Sequence, residues 1–247
     1  MMLRFAPLAV LATLATPLAA QDMTADERTA FRAEVRAYLL DNPEVLMEAI
    51  GVLEDRQAAN SQANDLALVA QHSDALFNSE TSFVGGNPDG DFTVVEFLDY
   101  RCGYCKRAHP EVNELIGTDT NIRYIIKELP ILGEESLLAS RYAISVQMLA
   151  GNDAYNDVHN TLMEFQGNIT DANLARMSGA FGLDHAAVAD KMNTAEVTAV
   201  IAENRALADA LAITGTPSFV FEDQMLRGYV PLAQMEQIVA QLRSRDG

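Results

Sequence analysis

Val94-Val95-Glu96-Phe97-Leu98-Asp99-Tyr100-Arg101-Cys102-Gly103-Tyr104-Cys105-Lys106-Arg107-Ala108-His109-Pro110 decides how the rest of this chain is read. The β-branched and aromatic run reads as a buried strand, a short polar break follows, and helical spacing resumes from the second cysteine. That pattern places Cys102 at a helix N-terminus, where unpaired backbone N–H groups and the helix dipole favour thiolate over thiol. Cys102 is therefore the better nucleophile. Cys105, one turn further in, has a shielded sulfur suited to resolving a mixed disulfide, and the two close a small, exchangeable ring.

Working outward, the composition sets limits. A chain of 247 residues at 49% hydrophobic carries ample core for one large domain with an appendage. Seventeen Lys and Arg stand against 35 Asp and Glu, a formal charge of −18 with no basic block, so nucleic acid and anionic membrane surfaces are poor partners. Residues 1–20 read as a secretory signal peptide: Arg4, an apolar run from Leu8 to Leu14, then Leu18-Ala19-Ala20-Gln21, with cleavage expected after Ala20. Leu18 is larger than the alanine favoured there, and the apolar run is short for a bilayer span. Export implies an oxidising compartment, periplasmic in this reading. Two cysteines three positions apart remove little unfolded-state entropy, so chemistry explains them better than stapling does.

Residues 21–78 form a helical extension. Thr24 and Glu27 resemble a capping box ahead of Phe31, Val35, Tyr38 and Leu39, and Asn42-Pro43-Glu44 restarts a helix that carries Leu46, Ile50 and Leu53. A polar, alanine-rich stretch from Gln57 to Asn64 precedes Leu66, Val69, Leu76 and Phe77. So narrow a stripe either folds back on the main domain or pairs with copies of itself as an oligomerisation stalk through residues 24–77; the polar middle favours the stalk.

From Thr81 onward strands and turns alternate. Phe83-Val84 reads as an edge strand, Phe92 to Leu98 as the central strand, and Asn121 to Leu129 as a third. Strand, helix, strand implies a right-handed crossover with parallel strands, so Cys102 sits at the carboxyl edge of the sheet. A helical insertion follows at about 134–212: Ser136 to Leu149, Ala154 to Phe165, Asp171 to Phe181, His185 to Met192 and Thr194 to Leu211, with Gly151, Gly167 and Gly182 between. Thr216-Pro217 leads into Ser218-Phe219-Val220-Phe221 and a hairpin, and Pro231 opens a last helix.

Residues 79–247 resemble the DsbA family of exported thiol-disulfide oxidoreductases. Three matches carry the resemblance: FLDYRCGYCKRAHP, an insertion of the expected length, and TGTPSFVF before the closing hairpin. The helical N-terminus is similar in kind to ScsC-like extensions. The fold implied is α/β: a thioredoxin-like fold with an inserted helical subdomain and an N-terminal helical extension. The resemblance also implies a cis peptide before Pro217, with Thr216, Pro217, Gly103 and Tyr104 meeting substrate. It makes Glu96 a buried acid that relays a proton to and from Cys105. An exposed edge glutamate is the alternative, and Lys127 either neutralises Glu96 or lies solvated at the strand end. Tyr104 stands where a cationic group would best stabilise the thiolate, which implies a milder oxidant, with the isomerase and reductase members closer in motif. The activity implied is forming, reducing or isomerising disulfides in unfolded or misfolded exported proteins, with a membrane redox partner and no cofactor.

A different function uses the same cysteines. Cys102, Cys105 and His109 supply three soft or borderline ligands for a copper or zinc carrier, although a helix-packing role for His109 is the plainer reading. His72, His159 and His185 have no partner at metal-ligand spacing, and Lys106 after Cys105 excludes a c-type haem site.

Overall fold

The strand β2, Phe92–Leu98, is flanked on both sides within a five-stranded sheet of order β1-β3-β2-β4-β5. It runs parallel to β3, Ile122–Glu128, and antiparallel to β4, Ser218–Phe221; β1, Phe83–Gly86, and β5, Gln224–Arg227, form the edges. This computed structural model describes residues 22–246, so the leader read at residues 1–20 lies outside the described residues. The β2–β3 crossover passes through α4, Gly103–Thr118, as the strand-helix-strand pattern predicts.

Both faces of the sheet are covered, which explains why β2 reads as a nearly unbroken apolar run rather than an alternating one. On one face, Val94, Leu98, Tyr124, Ile126, Phe219 and Phe221 pack with Ala108 and Val112 of α4 and with Met235 and Val239 of α9, Leu232–Asp246. On the other, Val95, Phe97, Ile125 and Val220 pack against Val69, Leu76 and Leu211. Full burial of a Val or Leu side chain contributes about 1.5–3 kcal/mol, so Val69 and Leu76 tie their helices to the back of the sheet.

Gly86 ends β1 at φ 63°, and a Cβ there would lie 2.4 Å from the Ile122 carbonyl oxygen, so the close approach of the end of β1 to β3 requires glycine. Four helices make the insertion: α5, Glu134–Glu164; α6, Asp171–Ala180; α7, His185–Met192; and α8, Ala195–Ala210. Gly151, at φ 87° and ψ −177°, breaks α5 into two helical pieces where glycine punctuates the sequence. Thr170, Asp184 and Thr194 each cap the next helix through a side-chain oxygen.

Residues up to Gln57 and residues from Ala58 onward form two compact units. The first holds α1, Ala25–Asp41, and the start of α2, Glu44–Gln71. Thr24 and Glu27 cap α1 reciprocally, the predicted box, yet α1 buries none of its residues. Phe31, Val35, Tyr38, Leu40, Leu46, Met47, Ile50 and Leu53 are all exposed. In the second unit, Asp65 near the end of α2 accepts two hydrogen bonds from Arg227 of β5, at 2.7 and 2.9 Å, and α3, Ser73–Phe77, contributes Leu76 to the core.

Candidate active site

Cys102 is the N-cap of α4, with extended backbone and no side-chain cap of its own. The turn that delivers it is short: its backbone N–H donates to the Asp99 carbonyl at 3.0 Å, and Lys106 N–H already bonds back to the Cys102 carbonyl. Cys102 is 7% exposed and Cys105 fully buried, and the two are unbridged. Across 114 residues of sequence, the Thr216 carbonyl oxygen lies 3.1 Å from Cys102 Sγ. The Thr216–Pro217 peptide is cis. Gly103 and Tyr104 are exposed beside Cys102 at the tip of the helix.

The two thiols differ sharply in acidity. Cys102 is lowered to about 5, most of all by its hydrogen bond from Cys105; burial opposes this, and the Thr216 side chain and the N–H groups of Cys105 and Tyr104 add to it. Burial pushes the Cys105 thiol far up, and its bond to Cys102 and the charge of Glu96 push the same way. One sulfur is thus a thiolate at neutral pH while its neighbour keeps its proton. A buried thiol of this kind attacks only once a base has taken that proton.

Glu96 lies on the α4 side of the sheet and is 2% exposed, buried as the family resemblance implies rather than set on an open edge. The Tyr124 hydroxyl donates to its Oε2. Burial raises Glu96 to about 7; the Tyr124 bond pulls down against that, and the Cys102 charge pushes up. A carboxyl near 7 both accepts and returns a proton at neutral pH.

Lys127 takes neither of the roles read for it from the sequence. Strand alternation puts it opposite Phe97, on the sheet face away from Glu96, where Nζ donates to the Ala75 carbonyl at 2.6 Å and Ser82 Oγ at 2.7 Å. It is 1% exposed, and burial lowers it to about 8. His109 is buried as well. Its Nε2 is 3.2 Å from Asn113 Nδ2, and its ring packs edge-on to His159 at 5.1 Å. Among the described residues no group of three His, Cys, Asp or Glu side chains is placed to hold a metal ion. His109 packs between Asn113 and His159.

Sequence reasoning missed two sets of residues around the cysteines. Arg101 Nη1 donates to the Gly167 carbonyl at 3.0 Å and its Nε pairs with Glu135 at 3.2 Å, while Lys106 Nζ donates to the Phe165 carbonyl. These cations bind the insertion to the start of α4. The second set surrounds Glu128, 3% exposed at the end of β3, where Tyr100, Tyr155 and Ser140 donate to its carboxylate. A signal was present for the first set, since two cations bracket Cys102. The second gave none, because its donors come from two separate stretches of chain.

Comparison with known proteins agrees with this geometry. Residues 93–240 match the family model described as DSBA-like thioredoxin domain, and residues 27–60 match that of the copper resistance protein ScsC N-terminal domain. A thioredoxin-like oxidoreductase from Silicibacter pomeroyi DSS-3 is 42% identical, with 69% of this chain and 97% of that one covered and a TM-score of 0.65. Proteus mirabilis ScsC in a transitional conformation is 30% identical, covering 90% of this chain and 100% of its own, at a TM-score of 0.66. The thiol-disulfide exchange protein alpha-DsbA2 of Wolbachia pipientis is 27% identical over 74% of this chain and 98% of its own, at a TM-score of 0.69. The chain spans about a quarter of the length of the curated relatives it matches. It belongs to the family of DSBA-like thioredoxin domains.

Proposed function

We propose that this protein exchanges disulfides in exported proteins of the periplasm, and that its N-terminal helices bias it toward isomerisation. The observation that carries the exchange reading is the placement of the two thiols: Cys102 caps α4 with its sulfur 3.1 Å from the Thr216 carbonyl, and Cys105 and Glu96 are buried behind it, an arrangement that lowers the pKa of Cys102 and raises that of Cys105. The Cys102 thiolate attacks one sulfur of a substrate disulfide; a mixed disulfide forms and the other substrate sulfur leaves as thiolate. Two routes then resolve the adduct. A substrate thiolate attacks the substrate sulfur of the mixed disulfide, which frees the Cys102 thiolate and leaves a rearranged substrate. Otherwise Cys105 gives its proton to Glu96 and attacks Cys102 Sγ, leaving a Cys102–Cys105 disulfide and a reduced substrate. Run backwards, the second route oxidises substrate dithiols, and a membrane redox partner sets the direction.

Thr216 and Pro217 on one side, and Gly103 and Tyr104 at the helix tip, are the substrate contacts. The Thr216 carbonyl 3.1 Å from the nucleophilic sulfur supports the first pair, and the exposure of Tyr104 supports the second. The leader read at residues 1–20 supports export, and among the described residues no helix is long and apolar enough to cross a membrane. Self-association is supported by the uncovered apolar side chains of α1 and early α2 within the ScsC-like stretch. Several copies around one cavity raise the effective concentration of Cys102 near a bound misfolded chain.

The test is light scattering on the mature protein and on a form lacking residues 21–57, with refolding of a scrambled multi-disulfide substrate measured for both. The full protein is expected to be oligomeric and an isomerase; the shortened form should be monomeric, still exchange thiols and no longer isomerise. A monomeric full protein, or a shortened form equal as an isomerase, overturns the stalk.

A further inference from the structure

Glu128 occupies a costly position. It stands two residues after Ile126, which faces Glu96 across the β2–β3 pair, so both carboxyls lie on the same face of the sheet. Oε1 accepts from Tyr100 at 2.7 Å and from Tyr155 at 2.6 Å, and Oε2 accepts from Ser140 at 2.7 Å; none of these partners is a cation. A buried carboxylate held only by neutral hydroxyls gives less stability than an apolar side chain of the same volume. Its value has to be sought in what it holds.

What it holds is the turn carrying the nucleophile. Tyr100 is two residues before Cys102, and its hydroxyl, besides donating to Glu128, lies 3.1 Å from Nδ1 of His159. The turn from β2 to α4 and the segment after β3 clamp each other reciprocally. Asp99 reaches across to accept from the N–H groups of Ile131 at 2.8 Å and Leu132 at 3.0 Å, and from Arg101 N–H within its own turn at 2.7 Å. Glu128 reaches back to Tyr100, and Leu129 N–H donates to the Leu98 carbonyl at 2.8 Å. The Glu128 arm is locked from behind by Ser140 and Tyr155 of α5, as the segment after β3 is by Arg205, which donates to the Pro130 carbonyl at 2.7 Å. The thiolate depends on several short contacts converging on one sulfur, so small displacements of the turn lose them.

We propose that Glu128 is a positioning residue for Cys102: by anchoring the Tyr100 hydroxyl it fixes the β2–α4 turn and keeps the sulfur among the groups that stabilise its thiolate. The claim rests on the reading of Cys102 as the nucleophile. Burial holds Glu128 itself to about 7, and the charged and titratable groups around it are Asp99 and Tyr100 of the turn and Tyr155 of α5, with His159, lowered to about 3 by burial, beyond Tyr100. Glutamine reproduces the anchor, since its oxygen accepts from both tyrosines and its amide donates to Ser140.

The experiment is a pH titration of the thiolate ultraviolet absorbance in reduced, full-length mature protein, for wild type, Tyr100→Phe, Glu128→Gln and Glu128→Leu, with thermal melting recorded alongside. Tyr100→Phe and Glu128→Leu should raise the Cys102 midpoint by about one pH unit, while Glu128→Gln stays close to wild type. Tyr100→Phe removes one oxygen and keeps the ring, so it decides the matter even if Glu128→Leu does not fold. A wild-type midpoint in Tyr100→Phe overturns the proposal whatever happens to the melting temperature. A Glu128→Gln midpoint shifted as far as that of Tyr100→Phe also overturns it, because charge rather than anchoring would then be acting. A wild-type protein that titrates like an ordinary thiol overturns the nucleophile reading instead.

Discussion

The hydroxyl of Tyr124 on β3 donates to the carboxyl of Glu96 on β2, so the acid beneath the cysteines answers to two opposing influences. Burial raises its pKa, the tyrosine lowers it, and the Cys102 charge raises it further. That last contribution disappears when the disulfide forms. Reduction of the cysteines should therefore be accompanied by proton uptake at Glu96.

Glu96→Gln should slow the Cys105 resolving step by about 100-fold, because the amide keeps a hydrogen bond but cannot accept a proton. Tyr124→Phe should move the ionisation of Glu96 upward from about 7, so its resolving step needs a higher pH to reach full rate. Stopped-flow resolution of a preformed mixed disulfide between about pH 5 and 9 reads both effects. Equal rates for Glu96→Gln and wild type across that range would return Glu96 to a packing role.

The lowered pKa of Cys102 predicts how stability depends on pH. Its folded value of about 5 lies below the ordinary 9.0, so between those values the unfolded reduced chain binds more protons than the folded one. Stability of the reduced form should therefore rise relative to the oxidised form from about pH 5 to about 9, and the gain should be lost as pH falls through 5. Paired thermal melts of the reduced and oxidised protein across this range measure it. A difference that does not vary with pH contradicts the assignment.

How far the site was legible follows from where each partner lies in the chain. Cys102, Cys105 and the helix that starts between them come from one local pattern, and Glu96 is readable because it stands on the strand feeding that helix. Lys127 reads from the sequence as a partner of Glu96 or a solvated lysine at the strand end, and Glu128 gives no signal of its own. Both are buried because Ala75 and Ser82 on one face, and Tyr100, Ser140 and Tyr155 on the other, bring partners from elsewhere in the chain. The glycine breaks of the insertion were visible, as at Gly151, since backbone conformation is a local property. Where α2 joins the body was not visible. Val69 and Leu46 are both apolar positions of one helix, and tertiary packing separates the buried residue from the exposed one.

That junction makes a prediction of its own. The Asp65–Arg227 pair is bidentate, with Asp65 9% exposed, and it fastens the end of α2 to the edge strand β5. Asp65→Ala should lower stability by about 1–2 kcal/mol, a modest figure because the arginine is partly solvated. Denaturant unfolding measures this, and thiol exchange should be unchanged. No loss of stability would mean that packing at Val69 and Leu76 holds the junction without the ion pair.

The division of labour between the two sulfurs is the central claim, and trapping tests it most directly. Cys105→Ser, mixed with a scrambled disulfide substrate and quenched in acid, should accumulate a covalent mixed disulfide through Cys102, seen as a reducible mass increase on non-reducing electrophoresis, because attack survives and resolution through Cys105 does not. Cys102→Ser should form no adduct and show no exchange. An adduct formed by Cys102→Ser through Cys105, or full exchange activity in that variant, would contradict the account.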